Sequence, residues 1–542
     1  MKNPSSSSSP SPQDTYSPGE SHNTMTSPCN ISTIPYPDLP GASFLSGTAV
    51  PILNYTASSI VPLNQGSTVN ITSLEFCNVT LTYTHPGQND TIHVKIYLPS
   101  SSSWNGRFMG TGGGGFNTGG IDAYMTTPVS EGYVTAGTDG GHYVDNDNPN
   151  TTGFYATDWA QVSPGNVNLY LLQDFASVAL NDMTIIGKSV AASYYGRNPD
   201  YSYWNGCSTG GRQGMMMAQR YPEGYDGILA GAPGINWAEF IPSLYWPQFI
   251  MNQVGIYPSA CEFDAILAAG IEACDGLDGV IDNLVGAPDL CNFQANSTVG
   301  RNVSCSDGST AIVSSAAVQV AQAAWEGPRT EDGKFLWYGF NPSTPLSIAT
   351  AITVCADGNA NCTPIPVPFS VDWINLFVEK NASFPLANIT QKDFARITHS
   401  SVQQFASIIG TSDPDLSAFK ETGGKILSWH GLSDQLIPPL GTEKYYREVE
   451  QRDLNVRDFY RLFEAPGVQH CSGGNGPYPA DLMGALIKWV EKGVAPEVVE
   501  ARIAPTGNAT EIVRNLCLYP LVQKYVGGDS NVASSFVCSL EF

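Results

Sequence analysis

YSYWNGCSTGGRQGMMMAQRYPEGYDGILAGAP, residues 201–233, is the stretch on which the fold turns. A short aromatic-rich strand (YSYW) runs into the small-residue turn GCSTGG. An apolar helix, RQGMMMAQRYP, leaves that turn, and a second strand, GILAGAP, follows. Inside lies Gly206-Cys207-Ser208-Thr209-Gly210, the G-x-S-x-G spacing of a nucleophile elbow. Glycines at 206 and 210 leave room for a strand–turn–helix bend tight enough to push Ser208 Oγ clear of a sheet. The competing reading is a chance pentapeptide, and the flanking strand and helix weigh against it.

Working outward, residues 91–100 (TIHVKIYLPS) alternate as a strand does, and residues 107–116 (RFMGTGGGGF) read as a strand entering a glycine loop. Residues 132–141 (GYVTAGTDGG) repeat that pattern, and residues 169–195 keep a helical apolar period throughout. Strands and helices alternating in this way predict a mostly parallel α/β sheet. Residues 29–70 read instead as a surface wrap of short apolar pieces broken by proline and glycine. The α/β rhythm also breaks between about 236 and 397, where six cysteines and many aromatics occur, too long a stretch for a crossover loop. It resumes with strands in GGKILSWHG (423–431) and at 458–463, and a helix at about 481–491 closes the domain. The expected division is therefore a low-complexity, disordered 1–28, a catalytic first part at 29–235, an inserted domain at 236–397, and a catalytic second part at 398–542.

Composition bounds the function. A chain of 542 residues is long enough for about three or four typical domains. Its 49 acidic residues against 25 basic ones repel phosphate backbones and anionic surfaces, which argues against nucleic acid as a partner. The longest apolar runs fall short of a membrane span. Twelve cysteines, an even number with no CxxC pair, accompany twelve N-x-[ST] sequons, the pattern of a secreted, disulfide-bonded glycoprotein. The first twenty residues, rich in Ser and Pro, carry no apolar signal-peptide core. The expectation is an extracellular protein whose natural start differs from Met1.

A nucleophilic serine needs a base, and the base a carboxylate to orient it. In α/β-hydrolases the order along the chain is Ser, Asp/Glu, His. Asp434 in HGLSDQLIPP and His470 in APGVQHC follow successive predicted strands and satisfy that order. His430 precedes the acid and reads as a structural hydrogen-bonder. If Ser208 and His470 meet, their neighbours Cys207 and Cys471 come within disulfide range, and such a bond would orient the base; a plain stability staple is the alternative. The run Gly112 to Gly115 stands where this fold draws one oxyanion N–H, from Gly113 or Gly114, to pair with that of Thr209. A structural glycine turn is the blander alternative. Neither a phosphate-loop lysine nor a dinucleotide fingerprint accompanies the run. In CDGLDGVIDN, the carboxylates of Asp275, Asp278 and Asp282, with the carbonyls of Val280 and Leu284, offer the oxygen ligands a calcium ion prefers. A solvated acidic turn is the alternative, and zinc is disfavoured because no histidine is near.

Taken together, GCSTGGRQG, ACDGLDGVIDN, GKFLWYG, SDPDLSAFKETGGKILSWHGLSDQLIPP, FYRLFEAPGVQHCSGG and LCLYP resemble the tannase/feruloyl esterase family of serine esterases over about residues 29–538. The resemblance implies an α/β-hydrolase fold with a large inserted lid, a Ser208–Asp434–His470 triad, a Cys207–Cys471 disulfide and a structural lid calcium at Asp275, Asp278, Val280, Asp282 and Leu284. It also implies the pairs Cys29–Cys77, Cys274–Cys291, Cys355–Cys362 and Cys517–Cys538, with Cys261–Cys305 left over. The implied reaction is hydrolysis of phenolic acid esters, small or polysaccharide-linked, with feruloyl esterase the first expectation and tannase the second. No organic cofactor or catalytic metal is expected, and homodimerisation stays open. Trp237, Phe240, Tyr245, Trp337 and Tyr338 are available to hold an aromatic ring, although most fit a lid core better. A non-catalytic binding protein on the same scaffold is the alternative of another class. The three intact catalytic residues weigh against it.

Overall fold

Nine strands form one central sheet: β1 (Ser43–Ile60), β2 (Val69–Thr84), β3 (Ile92–Pro99), β4 (Arg107–Thr111), β5 (Val134–Thr138), β6 (Tyr201–Cys207), β7 (Gly227–Gly231), β8 (Lys425–Gly431) and β9 (Tyr460–Ala465). Their spatial order is β1-β2-β3-β5-β4-β6-β7-β8-β9. The computed structural model describes residues 29–142, 153–503 and 511–540. The expected disorder of residues 1–28 lies outside the described residues.

The half of the sheet from β5 to β9 is parallel. Strands buried on both faces carry continuous apolar runs rather than alternation, and β7, GILAG, is wholly buried. Its residues divide between two cores. Ile228 and Ala230 join Met215 and Met217 of the helix Thr209–Arg220, while Leu229 joins Leu486 and Trp489 of the helix Leu482–Lys492. A helix on each face thus holds the strands whose C-terminal ends carry the site.

The other half is antiparallel, which makes the sheet mixed, and here the expected surface wrap at 29–70 is corrected. Residues 43–60 form an edge strand paired with β2 through several register shifts. Most of β1 is exposed or half-buried. An edge strand with one neighbour tolerates Pro51 and needs no clean alternation, so its sequence hides it. The expected single helix at 169–195 is two, Leu169–Ala176 and Val178–Tyr195, broken at Ser177. The break has a partner: the carbonyls of Phe175 and Ala176 accept hydrogen bonds from the Arg212 guanidinium at 3.1 and 3.0 Å. The chain also does not close at residue 491. Strands Val498–Ile503 and Ile512–Cys517 follow, then the hairpin Val522–Tyr525 with Phe536–Ser539.

Between β7 and β8 lies a lid-like insertion of helices such as Trp246–Val254, Ala260–Cys274 and Ser315–Glu326, with two small hairpins. Its closing helix, Gln391–Ile409, runs unbroken through position 397. A single apolar cluster joins lid residues Trp237, Trp373, Phe377 and Phe405 to Phe116, Trp159 and Phe175 of the sheet side. The insertion is therefore packed on the sheet through shared core rather than hung from a hinge. All six disulfides among the twelve cysteines pair as the family resemblance implies, including Cys261–Cys305. Among the described residues, no helix is long and apolar enough to cross a membrane.

Candidate active site

Ser208 sits where β6 ends and the helix Thr209–Arg220 begins, with φ 63° and ψ −125°. This left-handed backbone is strained for a residue with a Cβ, and neighbours on all sides must hold it. A Cβ at Gly206 would come 2.3 Å from the Gly210 carbonyl oxygen, which is why the motif has glycine there. The Ser208 N–H donates to the Gly231 carbonyl (3.0 Å), and its own carbonyl accepts from Arg212 and Gly234 (2.9 and 3.1 Å).

The structure brings Ser208, His470 and Asp434 together. Ser208 Oγ lies 2.9 Å from His470 Nε2, and His470 Nδ1 lies 2.8 Å from Asp434 Oδ2. Asp434 follows β8 and His470 follows β9, so both come from the C-terminal ends of parallel strands. Asp434 is fully buried, and its Oδ1 accepts the N–H groups of Leu436 and Ile437, both at 2.8 Å. His430 contributes from the side: Nε2 is 3.1 Å from Asp434 Oδ2 and 3.0 Å from the Ile437 carbonyl, and Nδ1 meets the Thr442 hydroxyl at 2.9 Å. Burial alone would raise the Asp434 carboxyl. His470 and His430 outweigh that and hold it well below the usual carboxylate range. A buried, ionised acceptor of this kind fixes one imidazole tautomer and stabilises positive charge on the ring.

Cys207 and Cys471 are joined, with Cα atoms 5.9 Å apart and a separation of 264 positions in sequence. The bond links the residue before Ser208 to the residue after His470. With both cysteines changed to alanine we expect kcat to fall roughly 10²-fold, because small displacements of a base are costly. Tm should fall as well, since removing such a bond costs about 2–5 kcal/mol. A lower Tm with unchanged kcat would reduce the bond to a staple.

The glycine run is stitched to the helix after Ser208. Gly113 N–H donates to Gln213 Oε1 (3.1 Å), Gly113 carbonyl accepts from Gly210 N–H (3.0 Å), and Thr209 Oγ1 donates to the Gly115 carbonyl (2.6 Å). With the Gly113 N–H engaged by Gln213, Gly114 is the one of the two sequence candidates whose N–H has no hydrogen-bond partner among the described residues. Arg212 is fully buried, and its guanidinium stacks over Phe175 and Trp237 while it caps the broken helix. Desolvation lowers it to about 9.

Asn64 was not singled out from the sequence. Buried beneath the elbow, it donates from Nδ2 to Asn205 Oδ1 (2.6 Å) and the Gly206 carbonyl (3.1 Å) and accepts from Trp429 Nε1 (2.8 Å). One side chain thus ties β6 to β8 across β7. Asn64→Ala strands these buried polar groups and is expected to cost about 1–3 kcal/mol, read as a lower urea midpoint. No local pattern marks such a residue. Its φ of 55° is invisible in sequence.

A cavity of about 400 Å³ opens on Ser208 and His470. Its walls include Trp237, Phe240, Ile241, Phe369, Leu436 and Ile437, with Asn117, Tyr124 and the Cys207–Cys471 bond. Trp237 and Phe240 are thus at the site. Tyr245, Trp337 and Tyr338 lie in or against the lid core instead.

In the acidic loop, Asp275 accepts the N–H groups of Asp282 and Asn283 (2.9 Å each), and Asp282 Oδ2 pairs with Arg514 at 2.8 Å. Asp275 and Asp278 are buried. Burial, together with Asp282 and Asp275, pushes Asp278 up to about 6. Three carboxylates against one guanidinium leave a deficit of positive charge. That donor set, with the carbonyls of Val280 and Leu284 in the same loop, fits a hard divalent cation. Among the described residues, the three side chains whose ligand atoms all lie within 4.8 Å of one another are elsewhere, at His85, Asp90 and Asp174.

A parallel sheet with serine, carboxylate and histidine at its strand ends, opening on an apolar cavity, is the framework of a carboxylic ester hydrolase. The profile of the family described as tannase and feruloyl esterase matches residues 77–539, and the chain belongs to that family. It is 42% identical over 519 residues to a probable feruloyl esterase of Arthroderma benhamiae, covering 95% of this chain and 94% of that one. To the tannase of Aspergillus oryzae it is 30% identical over 534 residues, covering 89% of this chain and 87% of the relative. Among solved structures, the tannin acyl hydrolase of Aspergillus niger superposes with a TM-score of 0.83 at 27% identity, over 94% of both chains. The feruloyl esterase B of Aspergillus oryzae superposes at 0.74 with 26% identity, over 93% of this chain and 97% of that one.

Proposed function

We propose that this esterase cleaves hydroxycinnamate esters of the ferulate type through an acyl-enzyme. The observation that carries the reading is the 2.9 Å contact of Ser208 Oγ with His470 Nε2 at the mouth of an apolar cavity. His470, oriented by Asp434, takes the hydroxyl proton as Ser208 Oγ attacks the ester carbonyl. The N–H groups of Thr209 and Gly114 receive the oxyanion. His470 then gives the proton to the leaving alcohol, and water, activated by the same imidazole, releases the acid and restores the serine.

The cavity wall supports ferulate over gallate. Beside Ser208 and His470, the polar side chains it offers among the described residues are Asn117, Tyr124 and Thr209, whereas its aromatic and branched side chains suit a propenoyl spacer and one methoxyl. The 42%-identical relative points the same way. The higher TM-score with the tannin acyl hydrolase favours the second reading, a tannase. The ratio of kcat/KM for methyl ferulate to that for methyl gallate tests this. We expect ferulate to lead by at least about tenfold, the low end of what a methylene-sized mismatch in an apolar pocket supplies. A preference for gallate would make the second reading the right one.

In this proposal residues 236–397, extended by the rest of the helix Gln391–Ile409, act as the lid, with calcium bound structurally at Asp275, Asp278, Val280, Asp282 and Leu284. Chelation is then expected to lower Tm by several degrees, and added calcium to restore it. An unchanged Tm in EGTA would remove calcium from the proposal. Secretion and glycosylation belong to the same reading. Nine of the ten sequon asparagines among the described residues are exposed, Asn78 being half-buried.

A further inference from the structure

The turn after β2 packs on the helices Leu169–Ala176 and Val178–Tyr195 through a group of ionisable side chains that the reaction does not use. His85 Nδ1 lies 2.6 Å from Asp90 Oδ2 and 4.0 Å from Asp174 Oδ1. On the other side of the ring, Nε2 lies 3.1 Å from Asp182 Oδ2, which also accepts from the Tyr83 hydroxyl at 3.0 Å. Asp90 Oδ1 accepts from the His85 N–H and the Thr84 hydroxyl. Asp174 is 1% exposed, and among the described residues its Oδ2 has no hydrogen-bond partner. His85, Asp90 and Asp182 are buried as well.

Two features set this cluster apart from an ordinary buried ion pair. Three carboxylates face a single imidazole, and among the described residues no lysine or arginine pairs with Asp90, Asp174 or Asp182. A buried, unpaired carboxylate oxygen is costly unless the group takes up a proton or a cation fills the place beside it. The second feature is the arrangement around the ring. Each ring nitrogen faces a carboxylate, Nδ1 toward Asp90 and Nε2 toward Asp182, so a cation at Nδ1 would take the place of the proton shared with Asp90 while Asp182, itself held by Tyr83, keeps the proton on Nε2. A carboxylate behind a histidine, fixing its tautomer, is the usual support of a metal-ligating imidazole.

We propose that His85 Nδ1, Asp90 and Asp174 bind a divalent first-row transition ion, zinc or manganese, with Asp182 and Tyr83 positioning the imidazole. A nitrogen ligand beside two carboxylates suits those ions better than calcium, which prefers oxygen alone. The site is separate from the acidic loop of the lid. Its ligands come from the β2–β3 turn and from a helix, so the ion would clamp one to the other. Asp174 precedes Phe175, whose carbonyl holds Arg212 of the helix after Ser208. The ion is thus expected to stabilise the fold without touching the reacting atoms.

The test starts from full-length protein stripped with a chelator, resupplied with calcium, and titrated separately with ZnCl₂ and MnCl₂. We expect uptake of one equivalent of transition ion with a rise in Tm, and affinity lower by at least about tenfold in Asp174→Asn. Competition between the two salts identifies the preferred ion. Pulsed EPR of the manganese-loaded wild type should show nitrogen hyperfine coupling from one imidazole, a readout that stands even if the variant fails to fold. No uptake at micromolar metal, equal affinity in Asp174→Asn, or bound manganese without nitrogen coupling would each overturn the proposal.

Discussion

Ser208→Ala is expected to lower kcat by about 10⁴-fold or more while leaving Tm where it was. In other serine hydrolases, loss of the nucleophile leaves only the residual catalysis that the oxyanion donors and substrate binding supply. The fold should not notice. Among the described residues the Ser208 side chain makes one hydrogen bond, to His470, while the strained backbone is held by main-chain contacts to Gly231, Arg212 and Gly234 that alanine keeps. Single-turnover kinetics on methyl ferulate, read beside a thermal melt, measures both halves. Esterase activity within tenfold of wild type would remove Ser208 from the mechanism.

Asp434→Asn has the second largest expected effect, a fall in kcat of about 10⁴-fold. The amide oxygen can still accept from Leu436 and Ile437, so the loop should keep its shape. The NH₂ then faces His470 Nδ1 and His430 Nε2. A donor facing His470 Nδ1 favours the tautomer protonated on Nε2, and that nitrogen can no longer take the proton of Ser208. Recovery of activity at high pH, where hydroxide substitutes for the base, would accompany the loss; a variant with near-normal kcat would show that Asp434 does not orient His470. The pH dependence of the wild type follows with its sign. A carboxyl held below its ordinary value contributes stability that is fully present above the unfolded value of about 4 and is lost as pH falls through the folded one. The stability that Asp434 supplies should therefore vanish only below about pH 4. Urea unfolding of wild type and Asp434→Asn between neutral and acid pH should show the two curves converging there.

The parts of the site that were legible share a property: each is written in a short stretch of chain. The elbow is legible because strand, turn and helix lie within twenty residues and because Gly206 and Gly210 answer local crowding. Asp434 and His470 are legible because each follows a strand with its own apolar pattern. The illegible parts are contacts between polar groups far apart in sequence. Asn64 meets Trp429 across 365 residues, Arg212 ends a helix 36 residues upstream, and Gln213 claims the Gly113 N–H from 100 residues away. The edge strand β1 was misread for a related reason. With one neighbour and much of its surface in solvent, it obeys no burial pattern, and only its pairing with β2 makes it a strand.

The α/β order, the family, and the Ser208, Asp434 and His470 that meet in the structure were legible in the chain alone, because covalent neighbours and hydrophobic period are local properties. Only the folded chain set the hydrogen bond from the Gly113 N–H to Gln213, the apolar core that the insertion shares with the sheet, and the convergence of His85, Asp90, Asp174 and Asp182. Burial and desolvation act on groups brought together from different elements, and the strength of a charge or an unpaired oxygen is set by those neighbours rather than by its place in the chain.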